Sequence, residues 1–275
     1  MSRKPGREGG PVPVPEPLAV PVVDAHCHLD LMEGDPTDNV ASARSAGVGT
    51  VVTIGIDVAT SQWAAATAEL LPEVWAAVAI HPNEAGLGGA DAAALAEIER
   101  LAALPQVRAI GETGLDHFRT ETDDGHRQQE ESFRAHIAIA KSAGKALVIH
   151  DRDAHDEVLR VLLEEGAPPA TVIHAFSGDA DLARRCADAG YLMSFAGNVT
   201  FKNAATLREA AAVVPADLLL VETDAPFLTP MPYRGRPNGP HLVPLTMRVL
   251  ADVRGEPVDE TCAAVAANAR RVFAV

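Results

Sequence analysis

Eight short β-branched runs alternate with longer Ala- and Leu-rich stretches along 275 residues, and most of the runs end on a histidine or an acid. The alternation, the number of runs and the total length predict an α/β protein with one (β/α)8 TIM barrel, an architecture of about 250 residues. An open doubly wound sheet is the competing arrangement. It is disfavoured because no G-x-G-x-x-G turn follows the first run.

In chain order the runs suited to buried parallel strands are AVPVVDAH, TVVTIGI, VWAAVAIHP, VRAIGETG, KALVIHD, TVIHAF, YLMSFAG and LLLVETD. They are short and nearly continuous in apolar residues, as strands covered on both faces are. Helix-like stretches separate them at residues 38–46, 59–71, 90–103, 127–143, 154–165, 180–189 and 204–214. Gly47, Gly144, Gly166 and Gly190 follow four of these, where a helix stop is needed. Residues 228–244 are rich in Pro, Gly, Arg and Asn and predict one long loop after the eighth strand. Helices at 245–253 and 260–272 then close the domain.

The first twenty residues carry basic residues, then Pro and Gly where a secretion signal needs an apolar stretch. Residues 1–20 are therefore expected to be a flexible tail, and 21–275 a single domain. No apolar run approaches the roughly 20 residues of a membrane span. The three cysteines, Cys27, Cys186 and Cys262, are odd in number and widely spaced, which fits a reducing, cytoplasmic setting. A chain with 47% hydrophobic and 22% charged residues is not globally disordered, and with 4% aromatics its core is aliphatic. The net charge of −15 and a pI near 5.0 exclude a protein that coats nucleic acid through a broad basic surface. They leave room for an enzyme that grips a polyanion locally through metal ions. Nothing in the sequence implies a stable protein partner.

The polar residues at the run ends carry the chemistry. The first run ends in Asp24-Ala25-His26-Cys27-His28, the third in His81, the fourth in Glu112, the fifth in His150, the sixth in His174 and the eighth in Glu222-Thr223-Asp224. Five of the ten histidines thus fall on one rim, the rim where parallel barrels build active sites. His26 and His28, two apart on a strand, share a face. Imidazoles and carboxylates converging from several strands are the donor set of a divalent metal. A lone histidine at a strand end is more often a structural hydrogen-bonding residue. Core packing does not account for six such residues in phase, because unpaired buried charge is costly.

The blocks VDAHCHLD, AIHP, AIGETGLD, VIHDRDA, HAFSG and VETDAPFLTP with RGRPNGP, in this order, resemble the TatD family of metal-dependent deoxyribonucleases in the amidohydrolase superfamily. The resemblance runs from about Val22 to the C-terminus. It implies a metal-dependent hydrolase barrel with two divalent ions, of Zn, Mn, Mg or Ni. It further implies that His26, His28 and Asp224 hold one ion, His150 and His174 the other, and that Glu112 bridges them. Many superfamily relatives bridge with a carboxylated lysine; the fourth run here offers Glu112 and no lysine.

The resemblance also implies a 3′-to-5′ exonuclease that takes DNA ends, single-stranded or frayed. On that reading Asp224 is the general base for the attacking water, with His81 near enough to assist. Glu222 orients a ligand, or alternatively forms a buried salt bridge. Arg234, Arg236 and Asn238 are expected to bind phosphate or sugar oxygens, or else to brace a proline-rich cap. Arg119 and Arg152 are weaker candidates for phosphate, and Phe118 for stacking a base; Phe227 is expected in the core. Asp24 is expected to support His26, and Cys27 to pack against the barrel wall. The same centre could hydrolyse another ester or amide, such as an aminoacyl-tRNA linkage, and a non-catalytic metal-binding scaffold is the alternative of another class.

Overall fold

A computed structural model of the chain describes residues 12–273. Eight parallel strands form one sheet in sequential order: β1 (Val22–Cys27), β2 (Val48–Ile54), β3 (Val74–Val78), β4 (Val107–Asp116), β5 (Ala146–Arg152), β6 (Thr171–Ile173), β7 (Leu192–Phe195) and β8 (Leu219–Val221). Each expected run overlaps one strand, with ends that differ by a few residues. The connecting helices are α1 (Pro36–Ser45), α2 (Val58–Leu70), α3 (Pro82–Ala85), α4 (Ala92–Ala102), α5 (Asp123–Ala143), α6 (His155–Glu165), α7 (Ala180–Asp188) and α8 (Ala205–Val213). Helices α9 (Val243–Arg254) and α10 (Val258–Val272) follow the long loop. The four-residue α3 was not foreseen, being too short to show a helical period.

Local chemistry sets the helix starts. Asp35, Asp57, Asp91, Thr122 and Asp179 each accept a backbone N–H of the first turn. Gly144 ends α5 with φ of 63°, left-handed backbone that a side chain resists.

The apolar residues divide into two layers. Val23, Ala25, Val52, Ile54, Ala77, Ala109, Ala146, Val148, Val172, Leu192 and Leu220 draw on all eight strands and fill the barrel interior. Ala269, Val272 and Phe273, at the end of α10, pack with them and plug the end where the strands begin. A second, larger layer lies between the sheet and the helices. With one end plugged, the opposite mouth is left for chemistry.

The β8–β1 seam is closed mainly by the segment after β8. Asp224 N donates to His26 O at 2.9 Å, His28 N donates to Ala225 O at 2.7 Å, and Cys27 pairs with Ala225 as an isolated bridge. Residues 1–11 of the expected tail lie outside the described residues. Its remainder is not free: Val12 and Leu18 are buried, Leu18 N donates to Ala46 O, and Arg248 Nη2 donates to the carbonyls of Glu16 and Pro17. Proline and glycine content concealed these anchors, because two apolar side chains suffice to dock an extended segment. No described helix is long and apolar enough to cross a membrane.

Candidate metal centre

Glu112 stands at the centre of five imidazoles. Its Oε2 lies 3.4 Å from His26 Nε2 and 3.8 Å from His28 Nε2. Its Oε1 lies 2.7 Å from His150 Nδ1, 2.9 Å from His174 Nε2 and 3.3 Å from His81 Nε2. Asp224 Oδ1 completes the first group, 3.6 Å from His28 Nε2 and 3.8 Å from His26 Nε2. The two oxygens of one carboxylate therefore face two different sets of donors. The ligand atoms of His26, His28 and Asp224 all lie within 4.8 Å of one another, as do those of His26, Glu112 and His174.

The far side of each ring bears on its role. His150 Nε2 meets Asp116 Oδ2 at 3.1 Å, and His174 Nδ1 meets Glu222 Oε1 at 3.2 Å. A metal-ligating imidazole commonly gives its other N–H to such a carboxylate, which fixes the ring and makes the inner nitrogen more basic. Glu222 itself is held by Ala175 N at 2.8 Å. Sequence reasoning missed Asp116 even though GETGLD contains it. The period-two alternation from Glu112 through Gly114 to Asp116 was the available signal.

The electrostatics match a site built around positive charge. Burial alone would raise the pKa of Glu112, but His174, His81 and His150 hold it well below the usual carboxylate range. Burial likewise opposes charge on His174, yet Glu112 and Glu222 push it well above an ordinary histidine. His26 is lowered to about 4, by burial first and then by the adjacent His174, whose ring stacks on it at 3.9 Å. Burial would raise Asp116, whereas the His150 contact and the Arg119 N–H bring it to about 2.

His26 is wholly buried, and neither of its ring nitrogens makes a hydrogen bond; His28 Nδ1 is likewise unpartnered. Buried polar atoms left so cost about 1–3 kcal/mol each. A cation accepting a lone pair from His26 Nε2, which faces Glu112 and Asp224, would offset part of that penalty. The donor set, imidazole and carboxylate without thiolate, suits Zn, Mn or Ni, and Mg where carboxylates and water dominate. The residues fit the expected metals.

Gly114 shows how tightly β4 and β5 must meet to bring Glu112 to His150. Its φ is +135°, and a Cβ placed on it would lie 2.1 Å from His150 O. Gly114→Ala is expected to destabilise the fold by roughly 2–5 kcal/mol through strain and overpacking. A urea melt with an unshifted midpoint would contradict this.

Several expected roles change. Asn238 is buried; its Nδ2 donates to Thr223 O at 3.0 Å and to Phe227 O, and its Oδ1 accepts from Gly239 N at 2.9 Å. Its amide is committed to the loop, so the expected substrate contact is corrected. Phe227, expected in the core, is 49% exposed, with its ring edge-on to His28 at 5.9 Å. Proline-directed turns after β8 carry it out of the packed interior. Asp24 takes only a 3.3 Å bond from His26 N. Its carboxylate grips Thr223 instead, accepting from N at 2.9 Å and from Oγ1 at 2.6 Å. Burial pushes Asp24 up to about 7 despite those bonds.

Asp24 and Asn238 together clamp Thr223, the residue between Glu222 and Asp224. Asp224 itself lies past β8 in left-handed backbone, φ 51°. Arg234 stacks on Phe201 at 4.3 Å, Arg236 lies over Tyr233 at 5.5 Å, and Arg152 lies over Phe118 at 4.1 Å. Cys27 is buried, with its Sγ 3.5 Å from Val52 O.

A family model described as TatD related DNase matches residues 23–274. The chain belongs to the TatD family. It is 45% identical over 259 residues to an uncharacterized metal-dependent hydrolase TatD of Mycobacterium tuberculosis, covering 92% of this chain and 97% of that one. It is 37% identical over 257 residues to the uncharacterized metal-dependent hydrolase YabD of Bacillus subtilis, covering 92% and 98%. Among solved structures, the TatD homolog YjjV of Escherichia coli superimposes with a TM-score of 0.86 at 30% identity, covering 92% of this chain and 98% of that one. This TatD-family protein is thus a metal-dependent hydrolase on a (β/α)8 barrel.

Proposed function

We propose that this TatD-family protein hydrolyses phosphodiester bonds at DNA ends, as a 3′-to-5′ exodeoxyribonuclease with two divalent ions. The observation that carries the reading is Glu112, with Oε2 toward His26 and His28 and Oε1 toward His150 and His174. A carboxylate so placed suits two cations held side by side. His26, His28 and Asp224 would hold one, His150 and His174 the other, and Glu112 both.

Two such cations supply an acidified water and a sink for charge on the phosphate oxygens. The chain's own groups do the rest. Asp224, whose side chain is 14% exposed at the mouth, takes the proton of the attacking water. The water oxygen bonds to phosphorus, the P–O3′ bond breaks, and the proton taken by Asp224 passes to the departing O3′. Glu222 and Asp116 keep His174 and His150 in the orientation that presents their inner nitrogens. Arg234, exposed and stacked on Phe201, and Arg236 meet the substrate phosphates.

The charge of −15 argues for a narrow grip on one strand end over tracking along a duplex. Digestion of end-labelled single-stranded DNA, run beside model esters and amides, tests the reading; cleavage of the esters or amides alone would replace it. Asp224→Asn is expected to lower turnover by about 10²–10⁴-fold. Wild-type turnover with intact metals would remove the residue's assigned role.

A further inference from the structure

His81 differs from the other rings of the centre in what lies behind it. His150 and His174 each back onto a carboxylate, which takes an N–H. His81 Nδ1 instead faces a donor: the backbone N–H of Asn83, at 3.0 Å in the first turn of α3. Nδ1 must therefore carry the lone pair. A hydrogen on Nδ1 would meet the Asn83 N–H head-on. The single ring hydrogen sits on Nε2, which points at Glu112 Oε1 from 3.3 Å. To ligate a metal through Nε2 the ring would have to become an imidazolate, and to act as a base there it has no lone pair to offer.

The turn that imposes this state is itself held. His81 N donates to Ile56 O at 2.8 Å, and Ile80 N donates to the buried His136 Nε2 at 3.0 Å. The side chain of His81 is 14% exposed, whereas that of His26 is fully buried, so of the two it is the ring open to the mouth.

We infer that His81 is a hydrogen-bond donor, through Nε2, to a non-bridging oxygen of the scissile phosphate, and neither a metal ligand nor a base. It stabilises charge that grows on that oxygen in the transition state, and the proton stays on the ring throughout. The expected assistance to Asp224 as a base is replaced. The identity of the accepting oxygen rests on the phosphodiesterase reading; the state of the ring does not.

The test has three arms on the metal-loaded protein. Nitrogen-15 shifts of labelled histidine are expected to show His81 with its hydrogen on Nε2; a hydrogen on Nδ1 overturns the inference. His81→Ala and His81→Gln are both expected to keep the wild-type metal content and affinity, and a loss of metal in His81→Gln overturns it. On DNA, His81→Ala is expected to lose about 10²–10³-fold in kcat with little change in KM. His81→Gln, whose amide is also a donor, is expected to recover part of that loss. Wild-type kcat in His81→Ala overturns the inference. If wild-type protein leaves DNA uncut, the phosphodiesterase reading fails, and the accepting phosphate oxygen with it. The first two arms still decide the ring's state.

Discussion

Glu112→Gln is expected to leave the protein folded and nearly free of bound metal. Every candidate ligand except Asp224 lies within 4 Å of the Glu112 carboxylate. An amide of the same shape keeps one weaker acceptor and turns an NH2 toward nitrogens that must themselves face a cation. It also removes the one negative charge common to both groups. Loss of an outer-shell partner commonly costs 10–100-fold in metal affinity, so loss of this central ligand is expected to cost at least about 100-fold. Turnover should fall with it by about 10³-fold or more. Elemental analysis after gel filtration and calorimetric titration with zinc or manganese would measure the effect. A variant with wild-type metal content and affinity would refute the bridging role.

The second large effect concerns folding. His136 is fully buried on α5, accepts Ile80 N–H through Nε2 and contacts Ser132 O at 2.7 Å through Nδ1. Burial lowers its pKa from 6.5 to about 4, so the folded state keeps the ring neutral. Below pH 6.5 the unfolded chain takes up a proton that the folded one refuses, until the folded ring also protonates near pH 4. The stabilisation is complete above pH 6.5 and is lost as pH falls between those values, by about 3 kcal/mol in all. His136→Gln is expected to destabilise the protein at pH 7 by about 1–3 kcal/mol, because Ile80 N–H loses a well-placed acceptor. The gap to wild type should narrow toward pH 4. Buried Asp24, with its pKa raised to about 7, acts in the opposite sense, so the comparison must be between the two proteins at each pH. A constant gap across pH 4–7 would contradict the account.

His136 also shows why part of the site was illegible. Its sequence neighbours place it on a helix, and nothing along the chain connects it with Ile80, 56 residues away. The same holds for the clamp on Thr223, whose parts, Asp24 and Asn238, are 199 and 15 residues distant from it. Asn238 lies in a loop with two arginines, a setting that favours a substrate role until the closing geometry commits its amide to carbonyls. His81 was placed at the centre from the strand-end pattern, but its function depends on which ring nitrogen meets Asn83 N–H.

Chemistry confined to one strand and its end was readable in the sequence: eight apolar runs, a mouth at their C-terminal ends, and His26 paired with His28 on one face. The direction of that face was not. Val23 and Ala25 point into the barrel, and uninterrupted alternation would send His26 and His28 outward. A register shift between Asp24 and Cys27 reverses the phase, and another between Ile110 and Thr113 does the same for Glu112 after Ala109. An irregularity of this kind re-aims every side chain beyond it. It arises from how a strand meets its neighbours across the sheet, so only the assembled barrel could fix which way the central carboxylate and the paired imidazoles point.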